Sequence, residues 1–248
     1  MPRRPRNAAV KRQRTARAGA HGTDSKVSRT ETVYRGLRRA IIEQALSPGT
    51  KLPEDLVGKR FGVSRTVVRA ALARLAAESL VELHLNRGAT VAHPSLDEAH
   101  DVFDIRRSLE RLVVERLAGR LSRADLARLK AHVAAEEQAK GRGGAESIRL
   151  AGEFHMLLAE LAGSTTLSRY VGELISRSSL ILAIYGRPHS PDCAVTEHRE
   201  IIDALLRGEA AAATRLMDRH LDAIIGRALI APPPSRDIHD ILGDYAAE

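Results

Sequence analysis

The sequence predicts a mainly α protein in which one short β-hairpin interrupts an otherwise helical pattern. Apolar residues recur at three- and four-residue spacing in stretch after stretch, the period of a half-buried helix. Extended segments are confined to residues 80–92. The composition, 44% hydrophobic and 28% charged, is ordinary for a folded chain, and 248 residues suffice for two cores or one large one. No run approaches the roughly 18–20 consecutive apolar residues that a spanning helix needs, and the first residues lack the apolar core of a secretory signal. The expectation is a cytoplasmic protein with no membrane partner. Cys193 is the single cysteine, which argues against an intrachain disulfide framework or a cysteine-based zinc cluster. Any metal must then use His, Asp or Glu.

The formal charge of +8 is laid out in blocks. Residues 1–30 hold nine basic side chains against Asp24 alone, residues 31–93 hold ten against six, and residues 94–248 hold 20 against 24. The chain reads as a basic tail, a basic module and a mildly acidic module, which points to a polyanion at one end. Residues 1–30 have too few periodic apolar positions to offset their ordering entropy and are expected to be a disordered basic tail. That tail is either an arm tracking DNA phosphates or a solubilising leader.

From Glu31 a helical stripe runs through Val33, Leu37, Ala40, Ile41 and Ala45 and stops at the turn signal Ser47-Pro48-Gly49. A second, short helix is expected from about Pro53 to Phe61, ended by Gly62. Ser64 caps a third helix whose buried face is Val67, Val68, Ala71, Leu72, Leu75 and Leu80. Residues 80–84 and 89–92, parted by Asn86-Arg87-Gly88, read as two strands around a tight turn. Three helices and a hairpin in this order make an N-terminal winged helix–turn–helix over residues 31–93. Residues 94–231 read as an all-α helical bundle. Its first helix opens on the capping-box pattern Ser95-Leu96-Asp97-Glu98 and runs to about Gly119. Further amphipathic stretches cover about 122–140, 146–163, 166–185, 194–207 and 210–230, and no strand pattern occurs beyond the wing. Pro232-Pro233-Pro234 leaves 232–248 as a C-terminal extension, a short helix or a frayed end.

Three stretches carry a resemblance: Ile42-Glu43-Gln44-Ala45-Leu46-Ser47-Pro48-Gly49-Thr50-Lys51-Leu52, the run from Phe61-Gly62-Val63-Ser64-Arg65 to Leu75, and Asn86-Arg87-Gly88-Ala89-Thr90-Val91. Together they resemble the DNA-binding domain of GntR-type bacterial transcription regulators. Asp104-Ile105-Arg106-Arg107-Ser108-Leu109-Glu110, Phe154-His155 and Glu197-His198 are similar to segments of the all-helical ligand-binding domain of the FadR subfamily, the FCD type. The resemblance implies a cytoplasmic, nucleoid-associated regulator that binds a double-stranded DNA operator as a homodimer, acts as a repressor and answers to a small organic acid.

A recognition helix enters the major groove by its N-terminal end, where free N–H groups favour phosphate and short polar side chains reach base edges. Ser64, Arg65, Thr66 and Arg69 occupy that end. Arg65 and Arg69 lie four residues apart, so both emerge on one face, where either can pair with guanine O6 and N7. Arg87 and Gly88 at the hairpin tip are expected to meet backbone or minor groove. The bland alternative is a capped, solvated helix and a solubilising arginine.

Three of the ten histidines fall on apolar stripes: His155 with Ala151, Leu158 and Ala162; His198 with Ile201, Ile202 and Leu205; His220 with Leu216, Met217 and Ile224. In an antiparallel hairpin turning at Gly208-Glu209, His198 and His220 stand at equal heights, about 16 Å from the turn. Three imidazoles facing one centre suit a divalent ion, Zn²⁺ first and Ni²⁺ or Mn²⁺ next; the alternative is core histidines or pocket lining. The resemblance implies the metal as well, because many FCD-type domains use three histidines and an Asp four residues before the first. Here that position is Ala151. Such a centre is expected to carry less compensating negative charge, with water, an effector oxygen or Asp104 as fourth ligand. Arg106 aligns with the arginine that meets the effector carboxylate in similar domains; an ion pair with Glu110, one turn on, is its structural alternative. Ser164, where the family often has Asn, suggests an altered turn.

The preferred function is a regulator without enzymatic activity. A three-His metalloenzyme fused to a DNA anchor is the alternative, weakened by the lack of a His-Glu-x-x-His arrangement or a clear general base. A tail-driven, non-specific nucleic-acid binder is the third reading.

Overall fold

The computed structural model describes residues 28–85, 88–140, 144–186, 192–226, 238 and 242–243. Its elements run α1 (Arg29–Ile42), β1 (Lys51–Leu52), α2 (Glu54–Phe61), α3 (Arg65–Ala77), β2 (Val81–His84) and β3 (Gly88–Val91), then α4 (Leu96–Leu117), α5 (Arg123–Ala139), α6 (Gly144–Leu161), α7 (Thr165–Tyr185), α8 (Asp192–Leu206) and α9 (Ala210–Gly226). The architecture is a winged helix–turn–helix followed by a helical bundle, with ends within a few residues of those the periodicity predicts. The expected tail and most of the extension lie outside the described residues.

One strand escaped the pattern. β1 pairs antiparallel with β3, Lys51 opposite Thr90 and Leu52 opposite Ala89, giving a sheet in the order β1-β3-β2. Two residues are too few to display alternation. The turn after α2 is made by Gly62, whose φ of 64° lies in the left-handed region open to glycine. Ser64 stands at the N-cap of α3, but its side chain makes no capping hydrogen bond, contrary to the sequence expectation. The box expected at Ser95 is half made: Ser95 Oγ accepts from the Glu98 amide at 3.1 Å, while the Glu98 carboxylate turns to Arg177. A reciprocal box forms instead at Ser122 and Asp125. Ser164 caps α7 by accepting from Leu167 N at 3.3 Å.

Two main cores follow from the stripes. Val33, Leu37, Ile41, Val68, Leu72 and Leu75 are buried with the wing strands in the first, and Leu180 of α7 reaches into it. The second joins α4 to α9 around Val114, Leu129, Phe154, Leu158, Ile201 and Met217. α4 and α9 pack antiparallel, pinned by the pairs Arg107–Asp222 and Arg111–Asp218. Polar contacts cross between the cores: Arg149 Nε to Glu43 Oε1 at 3.1 Å, Arg38 Nη2 to Ser176 Oγ at 3.3 Å, and Arg177 Nη1 to the Ser79 carbonyl at 2.9 Å. No described helix is long and apolar enough to cross a membrane.

The described part of the extension is docked. Ile238 and Leu242, four residues apart, pack on the core of the winged module, and Leu242 is 0% exposed. A fully buried leucine loses transfer and cavity terms together when truncated. Leu242→Ala is expected to lower stability by about 2 kcal/mol in urea unfolding; unchanged unfolding would show that the extension adds nothing to that core.

Candidate metal centre and nucleic-acid interface

The three histidines meet. His155 from α6, His198 from α8 and His220 from α9 are 2%, 0% and 1% exposed. Their Nε2 atoms converge, His220 lying 3.2 Å from His155 and 3.3 Å from His198. The equal-height hairpin argument for His198 and His220 is met by this distance. Phe154 stacks on the His198 ring at 3.8 Å between centroids and closes one side with apolar surface.

Each outer nitrogen faces a carboxylate. Glu110 of α4 accepts from His155 Nδ1, Glu136 of α5 from His198 Nδ1 at 2.9 Å, and Glu197 of α8 from His220 Nδ1 at 2.6 Å. A carboxylate at Nδ1 fixes the proton there and leaves Nε2 as a bare lone pair. Burial by itself would push the Glu110 carboxyl up, but Arg106 and His155 outweigh it and hold it at about 2. Glu136 is likewise opposed by burial and held at about 2 by His132 and His198. Burial drives His155 down to about 3, against the pull of Glu110, so at neutral pH it is a neutral donor to an anion. Burial lowers His198 too.

Three inward lone pairs with no proton between them repel, and a cation relieves this. Ligand nitrogens about 2.0–2.1 Å from a tetrahedral ion stand about 3.3 Å apart, close to both distances above. The residues present therefore fit a divalent metal, and the Nε2 atoms of His155, His198 and His220 are the ones that could hold it. Asp104 is exposed and takes no part. Among the described residues the three carboxylates are answered by the Arg106 guanidinium at Glu110 and by His132 at Glu136. With Ala151 four residues before His155, the anions of this centre stand behind the imidazoles, each at an Nδ1.

Arg106 is 3% exposed and pairs with Glu110 through Nε, the structural alternative read from the sequence. Glu110 is its only hydrogen-bond partner among the described residues, and links it to His155. Nothing in the periodicity singled out Glu110, Glu136 or Glu197 as partners. An inward glutamate one turn from an inward arginine was the one usable signal.

The other end of the molecule is open. Ser64, Arg65, Thr66 and Arg69 are all exposed at the start of α3. Arg65 is paired side-on with Asp55 of α2, and Arg69 Nε lies 3.7 Å from Glu54 Oε1. Gly88 has a φ of 80°, which a wing turn demands and a side chain would resist. Arg87 lies outside the described residues.

A winged module with an exposed basic helix end, joined to a helical bundle with a buried polar centre, defines a DNA-binding regulator with a separate helical domain. Residues 29–91 match the bacterial regulatory proteins of the gntR family, and residues 101–223 match the FCD domain. The chain is 30% identical over 206 residues to an HTH-type transcriptional regulator in an unstable DNA locus of Streptomyces ambofaciens, covering 82% of this chain and 85% of that one. It is 28% identical over 196 residues to the HTH-type transcriptional repressor RspR of Escherichia coli, 78% and 86% of the two chains. E. coli McbR/YncC has the same fold, with a TM-score of 0.71 at 21% identity over 81% of this chain and 96% of that one. The chain belongs to the GntR family of bacterial transcription regulators, with an FCD C-terminal domain. It is a regulator and not an enzyme, so the metalloenzyme alternative falls.

Removing one partner of a buried ion pair leaves the other charge uncompensated. Glu110→Gln is expected to destabilise the protein by about 3 kcal/mol, measured by urea unfolding, because Arg106 loses its anion. A loss under about 1 kcal/mol would mean that water reaches this pair.

Proposed function

We propose that the protein is a cytoplasmic, nucleoid-associated repressor whose operator affinity is set by a small organic acid bound at a three-histidine divalent metal centre, as in the FadR subfamily. Residues 31–93 form the operator-binding module, residues 94–231 the sensing and dimerising domain, and residues 1–30 and 232–248 are appendages. The convergence of the Nε2 atoms of His155, His198 and His220, each backed by a carboxylate, carries this reading. Zn²⁺ is the favoured ion and Ni²⁺ the first alternative, because imidazole nitrogens suit both; Mn²⁺, which prefers oxygen ligands, ranks behind them.

The metal supplies an open coordination position for an acid oxygen. The chain's own groups do the rest: Glu110, Glu136 and Glu197 orient the imidazoles, Phe154 keeps water from one face, and Arg106 offers its remaining N–H groups to the acid. The open position and Arg106 are the groups that would draw the acid in. A homodimer reads a palindromic operator, and the exposed Ile105 and Leu112, seven residues apart on one face of α4, supply apolar area for pairing.

The purified protein is expected to contain roughly one divalent ion per subunit, lost in the His198→Ala/His220→Ala double variant. Organic acids should shift operator affinity by about 1–3 kcal/mol in the metal-loaded form alone. A metal-free protein that responds normally to its acid would sink this mechanism.

Operator recognition rests on Ser64, Arg65, Thr66 and Arg69 in the major groove, with Arg87 and Gly88 at the minor groove or backbone. Arg69→Ala is expected to cost about 1–3 kcal/mol of operator affinity and relax one position per half-site. Full affinity with unchanged preference would remove α3 from base reading.

A further inference from the structure

Arg65 and Asp55 form an ion pair whose geometry exceeds what stability requires. The two side chains are 69% and 68% exposed, and ion pairs in that setting add little to folding. Both Asp55 and Glu54 stand in the first turn of α2, where one acid already complements the helix dipole. Yet the contact is two-pronged: Nε of Arg65 meets Oδ1 of Asp55 and Nη2 meets Oδ2.

Which edge of the guanidinium is used decides what is left. A guanidinium has five N–H groups in one plane. Side-on pairing through Nε and Nη2 consumes two of them and leaves the end formed by Nη1 and the second Nη2 hydrogen. That end presents two parallel donors, the fork that fits guanine O6 and N7. Holding the long side chain in this pose beforehand removes rotamer freedom that binding would otherwise have to remove. Arg69 is an internal contrast, since its Nε is 3.7 Å from Glu54 and makes no hydrogen bond there.

We infer that Asp55 is a specificity-determining positioning residue: it aims the Arg65 fork at one guanine in each half-site. This rests on the reading of α3 as the base-reading helix. An acid so near the duplex repels phosphate, so Asp55 also lowers affinity for DNA of any sequence. The two effects have opposite signs, and that separates a positioning role from a purely electrostatic one.

The test uses the full-length protein. The preferred duplex is selected from a random double-stranded library, and binding to it and to a scrambled duplex is followed by fluorescence anisotropy at one salt concentration. Asp55→Ala is expected to bind the scrambled duplex more tightly than wild type while its selected-to-scrambled ratio falls about tenfold. A repeated selection should lose its guanine preference at the same position that Arg65→Ala loses. Equal tightening on both duplexes, with every position still specified, would overturn the inference and leave Asp55 as a simple electrostatic brake. If Arg65→Ala itself leaves every position specified, the base-reading role of Arg65 fails and the inference with it. If Arg65→Ala relaxes a position that Asp55→Ala does not, only the positioning role fails. Circular dichroism confirms that each variant is folded, as substitutions at exposed sites permit.

Discussion

A carboxylate at the outer nitrogen of each central histidine, two of the three fully buried, is the constraint on which the bundle depends. Burying an anion costs several kcal/mol unless it is paired and hydrogen-bonded. Glu110 and Glu136 accept that cost at 1% and 4% exposure, and Glu197 in part. Each is answered by an imidazole N–H, and Glu110 by Arg106 as well. The partners come from different helices, so the pairs tie α4 to α6, α5 to α8 and α8 to α9, and the meeting of His155 with His220 joins the two groups. Apolar contact alone would let these helices slide with small penalties, because it has no direction. The polar ring gives the bundle one register.

That register extends to the winged module. His155 and Arg149 share α6, six residues and about 9 Å apart. Arg149 binds Glu43, which closes α1, so a shift of α6 at the histidines must be absorbed at that contact or passed to α1. α7 adds a second tie: Arg177 grips both Glu98 of α4 and the Ser79 carbonyl behind α3, and Leu180 is buried in the winged core. The DNA-binding module is thus held to the bundle by rigid elements on several sides, with α1 and the end of α3 as points of attachment.

Much of this was legible in the sequence. The winged order, the six bundle helices and the convergence of His198 with His220 follow from periodicity, because spacing along one helix, or across one tight hairpin, is local information. The carboxylate partners were not legible for the complementary reason. Glu136 meets His198 across 62 positions and Glu110 meets His155 across 45, and single-chain patterning does not state which faces of non-adjacent helices will touch. β1 was too short to show a period, and Ser64 fits a cap by residue type while its hydroxyl is left to solvent.

The two ends of the molecule obey opposite rules, and α3 shows how one helix carries both. Val68, Ala71, Leu72 and Leu75 are at most 1% exposed and fix where the helix lies. Arg65, Thr66 and Arg69 interleave with them on the outer face and bury nothing. Changes at the inner positions cost core packing whatever DNA is bound, whereas surface changes cost about 0.5 kcal/mol or less. The outer positions can therefore change while the scaffold stays fixed. The three-histidine centre allows no such separation, because the side chains that converge there are the same ones that hold the bundle in register.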